Sequence, residues 1–265
     1  EMCDSDWSSD VCSSDLYRYA AYLIWNRLKW DINLASWFSR ARLKQWNNKY
    51  LGQKAVIICN GPSLVQSNLS LLENTFTFGL NKINLLFDKS DFRPSCIVSV
   101  NPLVLEQNAE FYKETDIPLF LDYKAQKFIP LRENVIFLHS ASQTKFAQDC
   151  SMSIQKGGTV TFVAMQLAFH MGFQEVALIG CDHYFATTGL ANQTVISGDK
   201  DESHFDPNYF AGGVKWQLPD LPKSEFFYHL AKEVYAASGR KIFNATKGGK
   251  LEIFPRQSLE EFVNT

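Results

Sequence analysis

The chain has 265 residues, enough to bury a full core as one large domain or as one domain with appendages. Its 46% hydrophobic and 20% charged residues and its formal net charge of -2 fit an ordinary globular protein and argue against a disordered chain or a nucleic-acid binder. No apolar run reaches the roughly 20 residues of a membrane-spanning helix and nothing resembles a secretory signal, so the cytoplasm is the expected compartment.

Residues 1–16, E-M-C-D-S-D-W-S-S-D-V-C-S-S-D-L, are rich in Ser and Asp and match nothing that follows; they are expected to be a disordered leader or an artefact and are set apart from the fold. Residues 17–48 have helical spacing and carry Tyr17, Tyr22, Trp25, Trp30 and Trp37 among Arg18, Arg27 and Lys29. This N-terminal aromatic helical segment reads either as a hairpin packed on the domain or as a basic amphipathic stretch in peripheral contact with the inner face of a membrane. The rest, 49–265, is expected to form one domain. None of the six cysteines forms a C-x-x-C pair, and Cys59, Cys96 and Cys181 sit in apolar strand-like runs, as reduced core thiols do.

The first such run, A-V-I-I-C, ends abruptly at Asn60-Gly61-Pro62-Ser63, which predicts a buried strand, a tight loop and a helix start. T-F-T-F-G-L-N, C-I-V-S-V-N-P, I-P-L-F-L-D-Y, N-V-I-F-L-H, E-V-A-L-I-G-C-D-H-Y and K-I-F-N-A-T follow, separated by helical stretches. Such alternation predicts an α/β fold, a Rossmann-like, mainly parallel sheet flanked by helices. The cleanest unit opens at Gly157-Gly158-Thr159, presents Val160, Val163, Ala164, Leu167 and Met171 on one helical face, and ends at Gly172 before the strand Val176–Ile179. A second helix is predicted from about Ser224 to Ser238, and Ser258-Leu-Glu-Glu261 has the capping-box pattern of a last one. Between Phe185 and Pro222 the chain loses periodicity but keeps His, Tyr, Phe and Trp, as a lid over a ligand would.

Polar residues fall where the strands stop. Asn60, Asn81, Asn101, Asp182 and Asn244 each follow or end such a run, so a parallel sheet brings them to one edge, where ligands of α/β folds bind. Amides there can give and take hydrogen bonds with a base or sugar, although each is equally a turn residue. Gly61 and Ser63 in the first loop, and Gly158 and Thr159 before the clean helix, offer backbone N–H groups to an anion. Lys156 stands beside that second helix start, and Tyr184 and Tyr209 add phenols. Of five histidines, His204 lies in the lid and is the candidate base, whereas His170 and His229 sit inside helices. Walker A, G-x-G-x-x-G and G-x-S-x-G patterns do not occur, which removes the common NTPase, dinucleotide and hydrolase readings. Asp199-Lys-Asp201 is a D-x-D, simplest as a solvated loop and otherwise a Mg²⁺ site.

N-G-P-S-L, N-P-L-V-L-E-Q, the run from G-G-T-V-T-F to G-C-D-H-Y, and S-H-F resemble the MptE-like domain, a group that includes archaeal 6-hydroxymethylpterin diphosphokinases and Maf flagellin glycosyltransferases, over about residues 50–255. They are also similar to bacterial lipooligosaccharide sialyltransferases. The sialyltransferase resemblance implies a CMP-activated nonulosonic sugar as donor, Asn60, Asn81 and Asn101 around the CMP, Tyr184 near its phosphate, and a lid histidine as general base. Two positions depart from it: ungapped alignment through S-H-F sets Asn208 rather than His204 at the base position, and Lys156 is the nearest counterpart of the phosphate-side arginine. The expected activity is therefore a metal-independent transfer of such a sugar to a glycan or protein hydroxyl, with no cofactor and no nucleic-acid partner. The alternatives are a Mg²⁺-dependent diphosphokinase acting on a pterin-like alcohol, with Asp182, Asp199, Asp201 or Asp206 as ligands, and a non-catalytic nucleotide-sugar-binding module.

Overall fold

The computed structural model describes residues 9–187 and 189–264, and the chain divides into two compact units, Glu1–Phe38 and Ser39–Thr265. In the first unit, α1 (Ser9–Asp31) carries an Arg27–Asp31 ion pair one turn apart at 2.9 Å, and Tyr17, Tyr22 and Trp25 are exposed. Residues 9–16, expected to be disordered, are thus helical, while residues 1–8 lie outside the described part. The division at residue 38 also precedes the boundary expected at 48. The reason is visible in α2 (Leu34–Trp46): the Ser39 hydroxyl accepts the Phe137 N–H, Arg42 donates to the carbonyls of Arg132 and Val135, and Leu43 is buried.

The second unit is built on seven parallel strands in the order β5-β4-β3-β2-β1-β6-β9. These are β1 (Lys54–Ile58), β2 (Phe76–Leu80), β3 (Cys96–Ser99), β4 (Leu119–Asp122), β5 (Val135–Leu138), β6 (Glu175–Ile179) and β9 (Lys241–Asn244). Apart from the edge strand β9, their apolar runs are buried, as strands covered on both faces must be. Strand order runs outward from β1 through β2 and then reverses to β6, so a topological switch point falls between β1 and β6. α3 (Pro102–Gln107) and α4 (Ala109–Glu114) follow β3.

α5 (Val160–His170) differs from the one-faced helix its spacing predicts: every residue from Thr161 to His170 is buried. The sheet covers one side, and α6 (Leu221–Ala237) covers the other, with Phe162 and Phe227 rings 4.9 Å apart and the Tyr235 hydroxyl donating to the Met165 carbonyl at 2.8 Å. The carbonyls of His170, Met171 and Gly172, which the helix end leaves over, accept the N–H groups of Asn48, Tyr50 and Gly52. His170 is structural, as expected of a histidine inside a helix, with Nε2 2.8 Å from the Leu43 carbonyl. Before α5, residues 141–153 form a segment without helix or strand; the buried Gln166 side chain accepts the Ala147 N–H within it and, just beyond it, accepts the Gln155 N–H and donates to the Gln155 carbonyl.

The lid contains a short antiparallel pair, β7 (Thr194–Ile196) with β8 (Lys215–Gln217). It is tied to the sheet edge at four places. Lys82 Nζ donates to the Tyr209 carbonyl at 2.7 Å, Lys89 pairs with Asp206, Gln107 donates to the Lys215 carbonyl, and the Phe205 N–H reaches the Asn60 carbonyl. The chain closes with α7 (Leu259–Asn264), where Ser258 and Glu261 make the two reciprocal bonds of the expected capping box. Among the described residues no helix is long and apolar enough to cross a membrane.

Candidate functional site

Beyond the carboxyl ends of β1, β2, β3 and β6 lies a cleft of about 450 Å³, walled by those strand ends, the starts of α5 and α6, and the lid. It sits at the switch point, where open α/β sheets bind ligands. Asn60, Gly61, Asn81, Asn101, Lys156, Gly158, Thr159, Asp182, Tyr184 and His204 all line it. Ser63 lies behind Asp182. Asn244 ends its strand at the same edge but outside this cleft; its amide donates to the Leu251 carbonyl and its oxygen accepts the Thr246 N–H.

The three asparagines are not equivalent. Asn60 is 8% exposed, and its side-chain oxygen is buried without a hydrogen-bond partner, a costly state that a ligand donor would relieve. Asn81 holds a left-handed φ of 48°, tolerable for Asn, and its Oδ1 accepts the Ser99 hydroxyl at 3.3 Å. Asn101 caps α3, accepting the Leu103 N–H at 2.9 Å ahead of Pro102. Turn and cap chemistry thus engages the oxygens of Asn81 and Asn101, leaving their amide NH₂ groups as what they can offer a ligand.

The Asn60–Ser63 loop does not present the anion site that its helix start suggests. The carboxylate of Asp182 already occupies that place, accepting the Ser63 hydroxyl at 2.8 Å and the Ser63 N–H at 3.3 Å. Gly61 is small for the same reason: a β-carbon there would fall 2.0 Å from an Asp182 oxygen. Gly61, Ser63 and Asp182 therefore form an internally satisfied corner rather than phosphate ligands.

At α5 the situation is reversed. Gly157 and Gly158 take φ of 58° and 77°, and Thr159 caps the helix by accepting the Thr161 N–H at 3.3 Å. Among the described residues no carboxylate accepts a hydrogen bond from this start. Lys156 beside it is not the free cation its position suggests, because its Nζ lies 2.7 Å from Asp122 and 3.1 Å from the Val100 carbonyl. Asp122 is fully buried and also accepts from Ser140 and the Lys124 N–H, so Lys156 serves chiefly to neutralise it. Tyr184 stands at the rim, 53% exposed, with Lys250 over its ring at 4.4 Å.

His204 lines the cleft from the lid. Its ring stacks on Tyr209 with centroids 4.1 Å apart and 2° between planes, and its Nδ1 lies 2.8 Å from Asp201 Oδ2. A carboxylate on Nδ1 favours the tautomer with its proton there, which leaves Nε2, bonded to no described protein group, with a lone pair. Burial raises the Asp201 pKa, but the hydrogen bond and charge of His204 and the N–H groups of Ser203 and Phe210 outweigh it and hold the carboxyl below its usual range. Asp201 is therefore an ordered partner of His204 rather than a solvated loop residue, while Asp199, the other carboxylate of the D-x-D, is exposed. Asn208, at the aligned base position, is exposed and does not line the cleft. Tyr209, 1% exposed, lines the cleft with a hydroxyl that has no hydrogen-bond partner.

Sequence reasoning missed the roles of Asp122 and Asp201. Asp122 ends I-P-L-F-L-D and carried the same strand-end signal as the asparagines; Asp201 stands three residues before His204. The floor holds Cys59 and Cys181, both buried, with the Cys59 thiol pushed well up by the neighbouring Cys181 and by burial.

Across residues 29–188 the chain matches the family described as 6-hydroxymethylpterin diphosphokinase MptE-like. The chain belongs to the MptE-like family. Its fold is also similar to that of the Maf glycosyltransferase from Magnetospirillum magneticum AMB-1, at 15% identity and a TM-score of 0.49, over 85% of this chain and 38% of that one. This MptE-like chain thus spans well under half the length of that protein. No curated protein matches it.

Proposed function

We propose that this MptE-like protein is a metal-independent glycosyltransferase that moves a CMP-activated nonulosonic sugar to a glycan or protein hydroxyl. The observation that carries the reading is His204: its Nδ1 is held by Asp201, its Nε2 is unbonded, and it lines the same cleft as the open start of α5. In the reaction, Nε2 takes the proton of the acceptor hydroxyl. The acceptor oxygen forms a bond to the anomeric carbon, the bond from that carbon to the CMP phosphate oxygen breaks, and its electron pair leaves with the CMP. The positive end of α5 beyond its cap Thr159, whose own N–H donates to the Lys156 carbonyl, and the Tyr184 phenol stabilise the charge growing on the phosphate, with no reorganisation needed at the moment of reaction. Asn60, Asn81 and Asn101 hold the nucleoside. This reading needs no cofactor and no nucleic-acid partner.

The family description favours a second reading, a diphosphokinase acting on a pterin-like alcohol with Mg²⁺. Three of its four candidate ligands are engaged with separate partners, Asp182 with Ser63, Asp201 with His204 and Asp206 with Lys89, and the fourth, Asp199, is exposed. A third, a non-catalytic nucleotide-sugar-binding module, has no observation in its favour beyond the cleft itself. Calorimetric titration of CMP, CDP, ATP and GTP with and without Mg²⁺ separates these readings. Preference for CMP without metal supports the transferase, ATP binding that requires Mg²⁺ favours the kinase, and CMP binding with no donor consumed leaves the module. The exposed aromatics and basic residues of α1 suit peripheral contact with the inner face of a membrane, which co-sedimentation with anionic vesicles tests.

A further inference from the structure

One charged side chain on the cleft wall is uncommitted. Lys156 is paired with Asp122, His183 with Glu225 at 2.9 Å and His204 with Asp201. Asp182 holds Ser63, and Asp220 caps α6 by accepting the Lys223 N–H and also takes a bond from Asn192. Lys223 alone lines the cleft with an Nζ that meets no hydrogen-bond or ion-pair partner among the described residues.

Its position explains what that cation faces. Although Lys223 belongs to the first turn of α6, its stem crosses to the other helix: a β-carbon on Gly158 would lie 3.3 Å from Lys223 Cγ and 3.4 Å from Cδ. Glycine at 158 therefore both supplies the left-handed φ of 77° and leaves room for the lysine stem over the start of α5. A cation, an open helix start and the cleft wall meet there, which is how proteins hold a phosphate. Two further atoms indicate that the cleft is made for an occupant. The Asn60 side-chain oxygen and the Tyr209 hydroxyl, on lining residues 8% and 1% exposed, meet no hydrogen-bond partner among the described residues.

We infer that Lys223, not Lys156, is the cation that meets the phosphate of a nucleotide bound in this cleft, and that it makes the site selective for nucleotides over nucleosides. The inference rests on the nucleotide-binding reading given above. It is tested by calorimetric titration of CMP and cytidine into the wild-type chain, Lys223→Gln and Lys223→Arg, each checked for an unchanged melting curve, as expected at an exposed position. The expected result is an affinity for CMP about tenfold weaker in Lys223→Gln, cytidine affinity unchanged, and CMP binding largely kept in Lys223→Arg. Wild-type binding of CMP that Lys223→Gln leaves intact overturns the role of Lys223 while the nucleotide reading stands. Equal loss of CMP and cytidine also overturns it, because the lysine then acts on the nucleoside or the fold. A wild-type chain that binds neither ligand overturns the CMP reading and the inference with it.

Discussion

Two helix starts face the carboxyl edge of the same sheet, and they have opposite fates. After β1, the turn at Pro62–Gln66 receives the Asp182 carboxylate; after Lys156, α5 begins with two left-handed glycines and, among the described residues, no internal anion. The difference teaches that a loop-to-helix junction at a sheet edge is a binding site only if the protein has not filled it. One carboxylate within hydrogen-bond distance of the first N–H groups turns a ligand site into a structural corner.

Substitutions can break this contrast. The strongest is His204→Ala, expected to cost about 10²–10⁴-fold in turnover with CMP affinity retained, measured by single-turnover transfer and calorimetry; undiminished turnover removes the base from the open side. Lys156→Ala leaves buried Asp122 without its counter-charge and is expected to cost on the order of 3 kcal/mol in urea unfolding, where a phosphate-only role would leave stability untouched. On the closed side, Asp182→Ala strands the Ser63 N–H and hydroxyl. It is expected to lower stability by about 1–3 kcal/mol, and wild-type stability in that variant would show the corner needs no internal anion.

A finer comparison comes from Asp201→Asn, expected to slow turnover about tenfold with CMP affinity kept, since the Nδ1 acceptor survives without its charge. Because the folded Asp201 pKa is depressed, its contribution to stability is complete above the unfolded carboxyl pKa and is lost as pH falls through the folded one. The Asn variant should lack that acid-side loss. A separate comparison on the lid uses Lys82, whose pKa burial lowers to about 8 from 10.5. The unfolded chain then binds more protons above pH 8, so stability should rise with pH across that window and flatten in Lys82→Met; parallel curves for the two chains would refute it.

The sheet was legible because parallel strands buried on both faces are near-continuous apolar runs, as A-V-I-I and V-I-F-L are; the edge strand Lys241–Asn244, with only Ile and Phe apolar, is the exception. Gln166 shows why the segment before α5 was not: a buried amide that supplies backbone hydrogen bonds to a non-periodic stretch has no signature in hydropathy. At the site, strand-end position located the asparagines, yet whether Asp182 caps or binds depends on a contact across 119 residues, Ser63 to Asp182, that spacing does not encode. The pairing of Lys156 with Asp122 hid in the same way. His204 was visible in the lid, and its distinction from Asn208 came only from which of the two lines the cleft.

The position of β1 in the sheet bears on how the molecule matures. Its partner on one side, Phe76–Leu80, follows within the same stretch of chain, whereas its other edge pairs with Glu175–Ile179. On the ribosome the Lys54–Ile58 edge stays open until those later residues emerge, and a truncated product ending before them carries an unpaired, largely apolar edge prone to self-association. The same late pairing delivers Gly180, Cys181 and Asp182 to the cleft. Closure of the sheet and assembly of the cavity are one event, so an occupant of the cavity stabilises only finished molecules.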